Sequence, residues 1–198
     1  MFTQESKAFT IVEVMISLTI FAFTAMIATS IYLNAMNLEK KSADHRVIQE
    51  NILYIMELLA KEVRNGRIDY AAYGGTAPSG PTNELRLLYR DTGLQERICW
   101  VQGFQRGNIY IQRQASGGAP INYSASCSSG SELVQNNNVT VPLVRFYISP
   151  STVCSGSCRQ QRVTALIQIR STTPPPPGSS PVQSTVQSTF SVRLYNEN

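Results

Sequence analysis

The feature that most constrains this chain is an unbroken apolar run from Phe9 to Leu33. It holds no Gly, Pro, Lys or Arg, and its single charge is Glu13. At about 1.5 Å of rise per residue the run makes a helix of roughly 37 Å, enough to cross a hydrocarbon core of about 30 Å. A carboxylate near one end of such a segment is expensive to bury. The plainest account is a signal-anchor with Glu13 at headgroup level. A cleaved secretory signal fits worse: Lys7 is offset by Glu5, Glu13 falls near the start of the apolar region, and no clean Ala-x-Ala site follows it.

The helical pattern continues past Leu33. From Asn34 to Arg64 there is again no Gly or Pro, and Ile48, Ile52, Ile55, Leu59 and Val63 recur at spacings of four and three. That is one face of an amphipathic helix, expected to pack on the chain's own globular domain. Glu50, Glu57, Lys61 and Arg64 fall off the stripe, and Glu57 with Lys61 makes a supportive pair one turn apart. Asn65-Gly66 reads as the stop, with Gly66 taking a left-handed C-cap. The expectation is one helix, apolar all round over residues 9–33 and amphipathic over 34–66.

Beyond it the periodicity changes. Residues 67–83, with Gly74-Gly75, Pro78, Gly80 and Pro81, read as a loop. Leu85–Arg90, Gln95–Gln102 and Asn108–Arg113 read as a β-meander broken at Asp91-Thr92-Gly93 and at 103–107. Ala115–Asn138 is rich in Ser, Gly and Asn and reads as irregular. Val139–Ile148, Arg162–Arg170 and Thr185–Tyr195 alternate with period two, placing Phe190, Val192 and Leu194 on one face. Thr172–Gln183, with four consecutive prolines, reads as a stiff exposed connection. One long helix followed by antiparallel strands is an α+β arrangement, with residues 67–198 as the β-rich globular domain.

Four cysteines, Cys99, Cys127, Cys154 and Cys158, all follow the apolar run. In an oxidising compartment an even count favours disulfides, and three pairings exist. A local Cys154–Cys158 bridge across a turn leaves Cys99 with Cys127. Zinc suits neither this spacing nor the lack of a nearby His. His45 is the only histidine, and no phosphate-cradling loop, zincin motif or nucleophile elbow is present. Trp100, Tyr110, Phe146 and Tyr147 lie in strand patterns and read as packing residues. The formal charge is +4, from 17 Lys and Arg against 13 Asp and Glu, with Lys40-Lys41 the nearest approach to a basic block. So mild an excess does not argue for nucleic acid or acidic lipid. The expectation is a structural subunit without cofactor or metal, and not an enzyme.

A short polar leader, a small residue, then Phe9-Thr10-Ile11-Val12-Glu13 and an unbroken apolar helix resembles the type IV prepilin signature. The resemblance implies cleavage between Ala8 and Phe9 by a prepilin peptidase, with methylation of the new amine. The leader is then residues 1–8, and Ala8 stands where the family usually has Gly. Glu13 becomes the fifth residue of the mature chain and the assembly residue. A carboxylate buried in lipid or a filament core needs a cation, and the Phe9 amine of the same or a staggered subunit supplies one.

The implied partners are other pilins or pseudopilins through the N-terminal helix, the peptidase and the bacterial inner membrane. The rest of the chain would lie in the periplasm until assembly carries it to a surface filament. Lys40, Lys41 and Arg46 outnumber Lys7, so the N-in orientation comes from the resemblance and not from charge. The helix and closing strand look like those of larger minor pilins and J-type pseudopilins of type II secretion, which help prime assembly or sit near the tip. Two other classes compete: a filament-borne adhesin or DNA receptor using loops 67–83, 114–138 and 172–184, and an anchored ectodomain that never polymerises.

Overall fold

The computed structural model describes residues 10–89, 91–103, 106–134, 138–152, 160–175 and 180–192. The chain divides into two compact units, Met1–Ala43 and Asp44–Asn198. One helix, α1, runs without a break through the boundary from Ile11 to Asn65, 55 residues in all. In the first unit it is exposed throughout Ile11–Lys40, an apolar surface interrupted by Glu13 near its start and by Glu39 and Lys40 at its end.

In the second unit the expected stripe is the core face: Ile48, Ile52, Ile55, Leu59 and Val63 are all buried. A sixth residue, Glu62, is buried with them, and sequence reading had not placed it there. The expected left-handed cap at Gly66 is not formed. Gly66 instead opens a short strand, β1 (Gly66–Ile68), and pairs with Tyr89 of β2 (Glu84–Tyr89). The physical reason for glycine here is room. A Cβ on Gly66 would lie 3.1 Å from the Glu62 carbonyl oxygen and 3.4 Å from Leu87 Cβ.

The α+β expectation holds, with the strands divided between two antiparallel sheets. Five of them pair in sequence order: β1, β2, β3 (Gln95–Gln102), β4 (Gly107–Arg113) and β5 (Ser131–Glu132). The β2–β3 turn closes on Gly93 at φ +65°, a conformation glycine adopts without steric cost. The second sheet is β6 (Val139–Ser149), β7 (Arg162–Ser171) and β8 (Gln183–Ser191). The last strand thus begins two residues before the expected Thr185, and Gln183 belongs to it and not to the proline-rich connection. Val192 is buried and Phe190 packs half-buried against the core, whereas Leu194 lies outside the described residues.

Several contacts join the sheets, two of them to β6 backbone. Thr82 and Phe146 exchange backbone hydrogen bonds of 2.9 and 2.8 Å. The Trp100 indole N–H donates to the Val141 carbonyl at 2.7 Å. The stripe of α1 and the inner faces of both sheets share one apolar core that includes Leu85, Ile98, Ile109, Phe146 and Ile167. The segment between β4 and β5, expected to be irregular, holds a 3-10 turn at Cys127–Ser129 before β5.

Candidate assembly site

The N-terminal motif is organised by its helix start. Thr10 precedes α1, and its hydroxyl accepts a hydrogen bond from the Glu13 backbone N–H at 3.3 Å. A Thr followed three residues later by a Glu is the spacing of a capping box, so the two polar residues of the motif suit a helix start in their own right. The Glu13 side chain lies in the first turn, where a negative charge complements the exposed N–H groups of the helix end. Among the described residues no cation lies against it. Ala8 and Phe9, the expected processing site, lie outside the described residues.

Further along, four hydroxyls of the apolar run are turned inward on the helix. Ser17 donates to the Glu13 carbonyl at 2.8 Å, Thr19 to Ile16 at 2.8 Å, Thr24 to Phe21 at 2.9 Å and Thr29 to Ala25 at 2.8 Å. Each removes a polar hydrogen from the surface that lipid or a neighbouring helix would meet. The helix is long and apolar enough to cross a membrane, with a mean hydropathy of 2.2 in its most apolar window.

The globular unit carries two polar clusters, one on each face of the first sheet. On the core face Arg113 of β4 donates to Glu62 of α1 and to Glu96 of β3, both at 2.7 Å. The Tyr89 hydroxyl lies against Glu62 and is 3.0 Å from Glu96. Glu62 is 2% and Glu96 0% exposed. Burial pushes the Glu96 carboxyl above the usual range, with the Arg113 hydrogen bond opposing that and Glu62 adding to it. The same burial, with Glu62 beside it, raises the Tyr89 phenol. This cluster ties the end of the helix to three strands. Its one sequence signal was Glu62's position, three residues after Leu59 and beside Val63.

On the opposite face, Arg97 bonds Glu84 through Nε at 2.8 Å and the Ala125 carbonyl at 2.9 Å. Arg86 stacks on Tyr73 and Tyr123 at 4.8 and 4.4 Å. Burial pushes the Tyr123 phenol up to about 12. The segment after β4 is held there by a disulfide between Cys99 and Cys127, with Cα atoms 6.4 Å apart. Cys154 and Cys158 lie outside the described residues. His45 is exposed on α1, and no cluster of His, Cys, Asp and Glu suited to a metal occurs among the described residues.

Among family models, that of the prokaryotic N-terminal methylation motif matches residues 4–29. No curated protein and no solved structure matches the chain.

Proposed function

We propose that this type IV pilin-like chain is a minor pilin or pseudopilin: a structural, non-catalytic subunit of a type IV pilus-like or type II secretion filament. The motif implies in general terms processing by prepilin peptidase and association with other pilins. With the apolar helix it points to a membrane-anchored protein. The finer placement is a single pass of the inner membrane with the globular unit in the periplasm, followed by entry into the filament through α1, acting in assembly priming or near the tip.

The observation that carries this reading is the join of motif to helix. Glu13 stands in the first turn of a helix that is apolar from there to Leu38 apart from hydroxyls, Tyr32, Asn34 and Asn37. A carboxylate so placed is costly in lipid and useful once a neighbouring amine arrives.

Two measurements test it. Mass spectrometry of the N-terminal peptide from native membranes should find a chain beginning at N-methylated Phe9; an intact Met1 start would remove the reading. Glu13→Leu should be processed and retained in the membrane, because a central charge costs about 2.5–3.5 kcal/mol on insertion scales and its removal relieves part of that. The same variant should be scarce in sheared filaments, since a partner amine is left unpaired in an apolar bundle. Normal incorporation of the variant along the shaft would refute the pairing.

A further inference from the structure

The charges of the chain are unevenly placed. Between Leu133 and Asn196 there are five Arg and no Asp, Glu or Lys. The second sheet, β6–β7–β8, falls wholly in that stretch, so its strands contain no acid at all. Its inner face is core: Phe146, Ala165 and Ser188 are in register, as are Val144, Ile167 and Val186. The outer face is the alternate set, in which Arg145, Leu166 and Gln187 share one row and Tyr147, Thr164 and Thr189 the next.

Arg162 and Arg170, both exposed, stand at the two ends of β7 on this outer face. Eight residues apart on a strand, they are separated by about 26 Å. Arg145 lies opposite Leu166, midway, about 13–14 Å from each. Its guanidinium rests on Asn83. Neither Arg162 nor Arg170 forms an ion pair among the described residues. Amides and hydroxyls fill the rows between these cations, notably Gln168 and Gln187, and Tyr147 is 43% exposed beside them.

We propose that this outer face binds a linear acidic polysaccharide. Charge complementarity calls for an anion, because three cations lie on a face whose strands carry no carboxylate among the described residues. Their spacing selects among anions. Duplex DNA carries a charge about every 1.7 Å of axis and would leave most of its phosphates without a cation over this length. A sugar chain with an acidic unit at every second or third ring places its carboxylates far apart, with hydroxyls between them. Guanidinium pairs bidentately with such carboxylates, amide side chains both donate to and accept from hydroxyls, and a phenol ring packs on a sugar face. The length of β7 gives an extended chain a path from Arg162 to Arg170. The contacts thus come from a sheet face and not from the connecting loops, and the inference stands whether or not the chain polymerises.

The test is binding by the full chain in detergent micelles, read on a sensor surface. The probes are a hyaluronan oligosaccharide (alternating acidic and neutral sugars), dextran of similar length and a short DNA duplex. Hyaluronan should bind and dextran should not. Arg162→Gln with Arg170→Gln should weaken binding roughly ten-fold, whereas the corresponding pair of Lys substitutions keeps most of it. Gln168→Ala with Gln187→Ala should also weaken it at unchanged net charge, a loss that attraction between charges alone does not produce. Unchanged melting temperatures would show that each variant is folded. Absence of hyaluronan binding by the wild-type chain would overturn the inference, as would indifference to the Arg pair. Tighter binding of the duplex would assign the face to nucleic acid instead. None of these outcomes depends on filaments, so failure here leaves the assembly reading intact.

Discussion

Tyr89 has one hydroxyl proton and two carboxylates to give it to. Its oxygen contacts Glu62 and Glu96, while Arg113 donates once to each acid. Glu96 Oε1 has no partner among the described residues. Glu96 Oε2 and the two oxygens of Glu62 thus draw on one phenol and one guanidinium, so two buried carboxylates share a single cation. The raised Glu96 carboxyl agrees with that count. For a group whose folded pKa is raised, the stability it contributes is full below the unfolded carboxyl value of about 4.3. That stability is lost as pH rises through the folded value. Glu96→Gln should therefore flatten the loss of stability with rising pH, measured by urea unfolding of the full chain in detergent; an unchanged pH profile would refute the raised Glu96 carboxyl. Arg113→Met should cost about 2 kcal/mol near neutral pH. That is less than the usual loss of a buried pair's partner, because the guanidinium is 53% exposed and screened. The cost should shrink in acid, where both carboxyls are neutral.

Among the elements, α1 and the segment after β4 carry the clearest consequences. The helix start rests on Thr10, and Thr10→Ala should fray the first turn at a cost of about 1 kcal/mol. Hydrogen exchange at Glu13 and Val14 would register that fraying, with membrane retention unchanged. The segment after β4 is fastened by Cys99–Cys127, which closes a loop of sequence separation 28. By the chain-entropy relation, Cys99→Ala with Cys127→Ala should cost about 3–4 kcal/mol in denaturant unfolding. The residual Arg97–Ala125 and Gln112–Ser129 hydrogen bonds, 2.9 and 2.6 Å, would still hold part of the segment. Proteolysis should therefore cut at 115–126 before it cuts in the strands.

At the scale of the globular unit, the two sheets approach each other closely at Gly107. Gly107 opens β4 where it meets β6, its N–H donating to the Thr140 hydroxyl at 3.1 Å. A Cβ there would stand 2.1 Å from the Val141 carbonyl oxygen and 2.9 Å from the Trp100 indole nitrogen. The obstacle is backbone and a half-buried ring whose N–H is held by the Val141 carbonyl. Gly107→Ala should push the sheets apart at this corner and break the Trp100–Val141 hydrogen bond. A cost of about 2–3 kcal/mol is expected, with a shift in tryptophan fluorescence, since Trp100 is the only tryptophan. Gly74→Ala makes the contrast. It meets no atom within 4 Å, so only its positive φ of 81° resists the change and the fluorescence should not move.

Sequence by itself determined what repeats locally. The apolar run is legible by its length alone, while the stripe from Ile48 to Val63, β3 from Gln95 to Gln102 and the other long strands, to within two residues except that β8 ends at Ser191 and not at Tyr195, are periods of 3.6 or 2 enforced by burial of one face. Tertiary structure decided whatever needs a partner from elsewhere in the chain. β1 and β5, of three and two residues, are too short to carry a period and exist because β2 and β4 offer them edges. Gly66 reads locally as a helix stop, and only its pairing with Tyr89 makes it a strand residue, at a point where an added Cβ would stand 3.1 Å from the Glu62 carbonyl oxygen. Glu62 reads as one more charge on a charged helix. Its burial follows from Arg113, fifty-one residues further on, which supplies the cation without which no carboxylate would stay in that core.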